Sequence, residues 1–160
     1  SKTMEVYTDF YQELHEALTF LSKKHASVVV LDLHSYNHRR NGPKAVPEDE
    51  ILNPEINLGT GTMNREYWSG VVDRFINDLS MFEYSDRHFD VRENIKFKGG
   101  YFGKWIHENF PEHVCCISIE FKKFFMDEWT GIPDHALIKT IGDALTSTLP
   151  GIMEELSKRK

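Results

Sequence analysis

Two strand-like segments end in side chains that could carry chemistry. The first runs from Ser27 to Leu33 and is followed directly by His34. Alternate residues of a strand share a face, so Asp32 and His34 are expected to point the same way. The second, Val114 to Phe121, places Glu120 near its carboxyl end. Ligands of open α/β sheets bind at the carboxyl ends of strands, so the two segments predict a shared site.

Glu120 and His34 each have a second interpretation. A carboxylate that closes an apolar strand is costly to desolvate unless it is paired, metal-bound or protonated, which makes Glu120 a candidate general base. It could equally pair with Lys122 or Lys123 at the rim of the sheet. His34 is either a metal ligand or a hydrogen-bonded histidine at a turn.

The other histidines form no dense cluster in the sequence. His34 and His38 are four residues apart, a spacing that converges on a helix but not where a strand enters a loop. We therefore expect His38 in a loop that faces substrate. Solvated or capping roles are expected for the remaining six: His15, His25, His88, His107, His113 and His135.

Helical and strand patterns alternate along the chain and predict one α/β domain over 1–160. A helix with one buried apolar face is predicted over 4–24. The segment 27–33 is too apolar for an edge position, so we expect a central strand covered on both faces. The polar, proline-containing segment 37–57 predicts a long loop, and loops of this length often serve as lids or binding segments.

Further elements are predicted downstream. Short strands are indicated at 56–58 and 88–91. The Lys98–Tyr101 turn holds Gly99 and Gly100, which let the backbone approach something closely. Helices are predicted over 65–82, 101–109 and 134–149, with Asn64 capping the first and Pro150-Gly151 interrupting the last.

Composition excludes several classes of protein. The chain has 160 residues, 25 acidic and 19 basic, and a formal charge of −6, so it lacks the positive field that nucleic acid requires. Its apolar runs are far shorter than the roughly 18 residues of a membrane span. Cys115 and Cys116 are expected to be buried free thiols, which fits a reducing compartment. No export signal is visible near the start, so a cytoplasmic location is expected.

Three segments carry a resemblance to a known family. Leu31–Tyr36 (Leu-Asp-Leu-His-Ser-Tyr) and Ile117–Phe121 (Ile-Ser-Ile-Glu-Phe), with Lys98–Tyr101 between them, resemble the N-formylglutamate amidohydrolases. That family belongs to the zinc carboxypeptidase-like hydrolases. The resemblance runs through most of the chain. It implies an α/β fold with a mixed or mostly parallel sheet flanked by helices, of the zinc carboxypeptidase-like (phosphorylase/hydrolase-like) kind.

The resemblance also implies roles for individual residues. In the larger family, zinc is held by a histidine and a carboxylate of one early motif and by a later histidine in a His-Ser dipeptide, which His34 matches. A glutamate at the end of a late strand is the general base, and Glu120 matches it by position. Substrate-binding residues are expected around them: Ser35, Asn37, Arg39, Arg40, Gly99, Gly100 and Tyr101.

The implied activity is Zn²⁺-dependent hydrolysis of an N-acyl amino acid, similar to the release of formate from N-formyl-L-glutamate. Two alternatives stay open: a carboxypeptidase-like hydrolase of peptide or γ-glutamyl bonds, and a metal-free domain that binds a small carboxylate or a protein. The family's early histidine-carboxylate motif is expected upstream of Ser1. The chain is therefore expected to be the C-terminal part of such a domain, with its N-terminal portion absent.

Overall fold

The computed structural model describes residues 2–159, in which four helices surround a mixed sheet. The helices are α1 (Lys2–Lys24), α2 (Ser69–Met81), α3 (Tyr101–Asn109) and α4 (His135–Ser157). The strands are β1 (Val28–Tyr36), β2 (Ile56–Gly59), β3 (Glu83–Tyr84), β4 (Arg87–His88), β5 (Val91–Glu93) and β6 (Val114–Lys122). No helix in this part of the chain is both long and apolar enough to cross a bilayer.

The main sheet has the strand order β1-β6-β2-β5. β1 runs parallel to β6 and β5 runs parallel to β2, whereas β2 and β6 are antiparallel. The predicted mixed, mostly parallel sheet flanked by helices is confirmed. The predicted central position of β1 is wrong for the described residues, where β6 is central and β1 lies at the edge. Sequence reports that a strand is apolar but not which strands lie beside it.

One face of the sheet packs against α2 and α4. Ile117 and Ile119 of β6 and Leu58 of β2 are fully buried there against Trp68 and Phe75. Burying side chains of this size contributes about 1.5–3 kcal/mol each. The helix predicted over 65–82 is present as α2 but begins at Ser69, because residues 65–68 form a turn in which Asn64 accepts from the Tyr67 amide.

The other face packs against α3 and the second half of α1. Leu18 and Ile106 are buried there beside Cys116 of β6. The predicted burial of the whole apolar face of α1 is wrong in its first half, where Val6 is 63% and Phe10 51% exposed. The Phe10 ring lies 6.2 Å from Phe102 of α3 and gains only partial cover.

The last helix continues through Pro150 instead of ending before it. A proline inside a helix removes one hydrogen bond and tends to kink it. Packing against α2 keeps the element together here. A side chain added at Gly151 would collide with those of Arg74 and Asp78, which shows how closely α4 approaches α2.

His107 of α3 completes the hydrogen bonding of β6 where β2 has ended. Its Nε2 accepts from the backbone N–H of Cys116 at 3.0 Å, and its Nδ1 lies 3.1 Å from Oγ1 of Thr62. Because Nε2 accepts, Nδ1 carries the proton of the neutral ring. The expected solvated or capping role is wrong for this histidine, which is 7% exposed.

The free energy of unfolding is expected to fall as the pH drops below about 6.5, because of His107. Burial lowers the pKa of His107, with a hydrogen bond at Thr62 opposing the shift. A lowered folded-state pKa means that the unfolded chain binds the proton first as the pH falls. The contribution of His107 to stability is therefore complete above about pH 6.5 and is lost as the pH falls toward the folded-state pKa. Urea unfolding should show that the free energy of unfolding falls less between pH 7 and pH 5 in His107→Gln than in the wild type. His88→Gln, at an exposed position, should retain the full loss, and equal losses in both variants contradict the assignment.

Candidate active site

His34 and Glu120 lie side by side at the carboxyl ends of two parallel strands. The pairing of β1 with β6 sets His34 opposite Glu120 and Asp32 opposite Ser118. All four side chains share the face that packs against α1 and α3, because their positions differ by even numbers. The structure thus brings together the two residues that the sequence placed at separate strand ends.

Asp32 fixes the ring of His34. Its Oδ1 lies 2.8 Å from Nε2 of His34, and its Oδ2 accepts from Oγ of Ser118 at 3.2 Å. A carboxylate can only accept, so Nε2 of the neutral ring carries the hydrogen and the lone pair is on Nδ1. A carboxylate on the far nitrogen is the usual support of a metal-ligating histidine. Sequence had placed Asp32 on this face without giving it a role.

Glu120 is partly buried, and its environment disfavours the charged form. Burial raises the pKa of the Glu120 carboxyl above its ordinary value. His34 opposes this shift, whereas the nearby Asp32 carboxylate adds to it. A carboxyl group with a raised pKa accepts and returns protons more readily near neutral pH, which suits general acid-base work.

A cavity of about 470 Å³ opens beside Glu120. This volume is within the usual range for small-molecule sites. Four predicted site residues are in its lining, together with three that sequence reasoning missed. The lining consists of Ser35, Tyr36, Asn37, Arg40, Phe97, Glu120 and Trp129.

The structure separates the two neighbouring arginines. Arg40 lines the Glu120 cavity, and its Nε lies 3.4 Å from the backbone oxygen of Asn37 and 3.9 Å from Glu48. Arg39 instead lines an adjacent cavity of about 440 Å³ together with His38. Arg40 is therefore the arginine that lies in the same cavity as Glu120.

Gly99, Gly100 and Tyr101 are not in the lining of the Glu120 cavity. Gly99, with φ of +105°, packs so closely against Gly59 that a Cβ on Gly59 would collide with the Gly99 nitrogen. Gly100 precedes α3 as its N-cap. Tyr101 is 58% exposed and contacts Tyr11 of α1. A substrate-binding role for these three residues stays a prediction.

Asn57 holds one wall of the cavity in place. It lies opposite Glu120 in the antiparallel pairing of β2 with β6 and is fully buried. Its Nδ2 donates to the carbonyl of Phe97 at 2.8 Å, and its Oδ1 accepts from the Lys96 amide at 2.8 Å. Phe97 in turn packs edge-on against Tyr36, with ring centres 5.5 Å apart. Only the antiparallel pairing, which the sequence did not predict, reveals this role.

The described residues do not by themselves fit a catalytic zinc site. Among residues 2–159 no group of three or more histidine, cysteine, aspartate or glutamate side chains is arranged to hold a metal ion. His34 offers one free ring nitrogen, whereas catalytic zinc takes about three protein ligands. A complete site thus needs ligands that these residues do not supply.

Comparisons with known proteins give a consistent result. The model of the N-formylglutamate amidohydrolase family matches residues 2–126. A crystal structure of N-formylglutamate amidohydrolase from Ralstonia eutropha JMP134 has a similar fold, with a TM-score of 0.67 and 20% sequence identity. The similarity covers 95% of this chain and 53% of that one, so the chain spans about half of that structure. No curated protein matches the sequence.

Proposed function

Because the chain belongs to the N-formylglutamate amidohydrolase family, we propose that the protein hydrolyses the amide bond of an N-acyl amino acid. The reaction is similar to the deformylation of N-formyl-L-glutamate to formate and glutamate. One observation carries the proposal: Glu120, which is paired with His34 across the carboxyl ends of β1 and β6, lines a cavity that also contains Arg40.

In this proposal Glu120 is the general base. Its carboxylate takes a proton from the attacking water and returns it to the leaving amine, steps that typically contribute 10²–10⁴-fold to a rate. Its raised pKa supports both directions of transfer. Arg40 binds the substrate carboxylate through two parallel hydrogen bonds and so orients the scissile amide toward Glu120. Ser35 and Asn37 supply further polar contacts.

We propose Zn²⁺ as the cofactor, with His34 as one ligand and the remaining ligands outside the described residues. The support is the hydrogen bond that Nε2 of His34 donates to the Asp32 carboxylate, which leaves Nδ1 of His34 available. We further propose a cytoplasmic location, because Cys115 and Cys116 are both free and buried, which fits a reducing compartment.

The complete gene product should release free amino acid from N-formyl and N-acetyl amino acids, as followed by amine detection. Peptides from which a carboxypeptidase would remove the C-terminal residue, and γ-glutamyl dipeptides, should be poor substrates in the same assay. Preferential cleavage of those peptides favours the carboxypeptidase alternative. Binding of the N-acyl amino acids without turnover, by a protein that takes up no zinc, favours a binding domain.

A further inference from the structure

The turn between Met126 and Pro133 is stabilised by its own hydrogen bonds. Its two ends pair with each other across the base of the turn. At its tip, Oδ1 of Asp127 accepts from the Thr130 amide at 2.7 Å and from the Thr130 hydroxyl at 2.9 Å. These bonds fix the backbone that carries Glu128, so the Glu128 side chain starts from a defined position. The family model ends at Met126, and Glu128 lies beyond it.

The Glu128 carboxylate binds the loop that follows β1. It accepts from two consecutive backbone amides, that of His38 at 2.9 Å and that of Arg39. Hydrogen bonds to an ionised carboxylate are stronger than those between neutral groups. The next residue of the turn, Trp129, donates from Nε1 to the Arg39 carbonyl at 2.9 Å. The backbone of Arg39 is therefore held at its N–H and at its carbonyl by two neighbouring residues of the turn.

These bonds fall in the part of the loop whose side chains line the Glu120 cavity. Asn37 directly precedes His38 and Arg40 directly follows Arg39, and both Asn37 and Arg40 are in the lining. Residues 37–55 contain no helix or strand, so the path of this backbone depends on individual contacts such as these. Without the Glu128 carboxylate, two adjacent amides lose their acceptor, which is costly where water does not replace it.

We propose that Glu128 is a positioning residue: by binding the amides of His38 and Arg39, it sets the place from which Arg40 binds the substrate carboxylate. The inference rests on the proposed amidohydrolase function and adds to it a residue that acts through the backbone of the loop. A displacement of about 1 Å in a group that orients substrate can cost about 10²-fold in rate. Glu128 therefore controls turnover from outside the lining of the cavity.

The first test measures kcat and KM of the complete gene product for N-formyl-L-glutamate. Glu128→Ala is expected to lower kcat/KM by about 10–100-fold, partly through a higher KM. A smaller folded fraction would lower the apparent kcat but not raise KM, so the rise in KM distinguishes positioning from misfolding. Glu128→Gln keeps one oxygen that accepts and should lose less than Glu128→Ala. Glu83→Ala, at an exposed position in β3, should change neither parameter.

The second test repeats the substitution in a protein that lacks Arg40. Residues that act through one another give non-additive effects. In an Arg40→Ala background, Glu128→Ala should therefore lower kcat/KM by less than about threefold, since no guanidinium is left to position. Equal losses in the two backgrounds, or an unchanged KM in the single variant Glu128→Ala, overturn the proposal.

Failure of the hydrolase function is read separately, by amide hydrogen exchange and by calorimetric binding of N-acetyl-L-glutamate. In Glu128→Ala the amides of His38 and Arg39 should exchange about tenfold faster or more. Binding should weaken as it does in Arg40→Ala. Both results support the positioning role even without turnover. Unchanged exchange overturns it, and so does faster exchange with unchanged binding, because Glu128 would then only anchor the loop. Absence of binding in the wild type also overturns it.

Discussion

Glu120→Gln is expected to lower kcat of the complete gene product by about 10²–10⁴-fold while leaving metal content and KM nearly unchanged. The magnitude is that of removing a general acid-base group, since glutamine keeps the shape of the side chain and cannot take the proton. Steady-state kinetics and elemental analysis of the same preparation check it. Glu112→Gln, at an exposed position just before β6, is the matched control and should retain full activity.

The same substitution is expected to stabilise the metal-free folded protein at pH 7. The folded-state pKa of Glu120 is raised, so its contribution to stability is present below the unfolded-state pKa and is lost as the pH rises through the folded-state value. Removing the charge should therefore increase the free energy of unfolding at neutral pH, and the gain should vanish below about pH 4. A variant with near-normal kcat, or one that is less stable at pH 7, contradicts the role of Glu120.

His34→Ala is expected to abolish activity and zinc binding together. The loss should exceed the roughly 10–100-fold that removing an outer partner of a metal site costs, because a ligand itself is removed. Elemental analysis after metal-free purification and addition of one equivalent of zinc measures occupancy, alongside kcat/KM. Asp32→Asn weakens the hydrogen bonds that Asp32 accepts from Nε2 of His34 and from Ser118 but removes no ligand, so it should show that smaller, roughly 10–100-fold loss.

His25→Ala is the control for this experiment, because His25 is exposed in the turn between α1 and β1. It should retain both zinc and turnover. If His34→Ala binds a full equivalent of zinc, His34 is not a ligand. If it loses activity while keeping zinc, its ring acts on the substrate or on Glu120 instead.

The elements of the site were more predictable than its walls. Apolar runs in the sequence mark the two strands and place His34 and Glu120 at their ends. The alternation of residues along a strand then gives the face on which each side chain lies. The opposing placement of Asn57, which anchors Phe97, depends on the antiparallel entry of β2 beside β6. No local pattern records which strands become neighbours, so this contact was beyond sequence reasoning.

Trp129 was missed for a related reason. It is 48% exposed and sits in an irregular turn, where no periodicity marks a functional side chain. Its place at the cavity depends on the hydrogen bond that Nε1 donates to the carbonyl of Arg39, a residue 90 positions earlier in the chain. Arg39 and Arg40 were equivalent in sequence, and only the path of the loop after β1 turns Arg40 toward the cavity that contains Glu120.

The edge position of β1 makes the geometry of the site depend on a single ladder. In residues 2–159, β1 pairs with β6 alone, and that ladder sets His34 level with Glu120. A slip of one residue would turn His34 to the opposite face and bring Leu33 in its place. A slip of two would keep the face but move the histidine about 6.6 Å along the strand. The alignment of His34 with Glu120 is thus set by the register of β1 on β6 and does not depend on side-chain conformation.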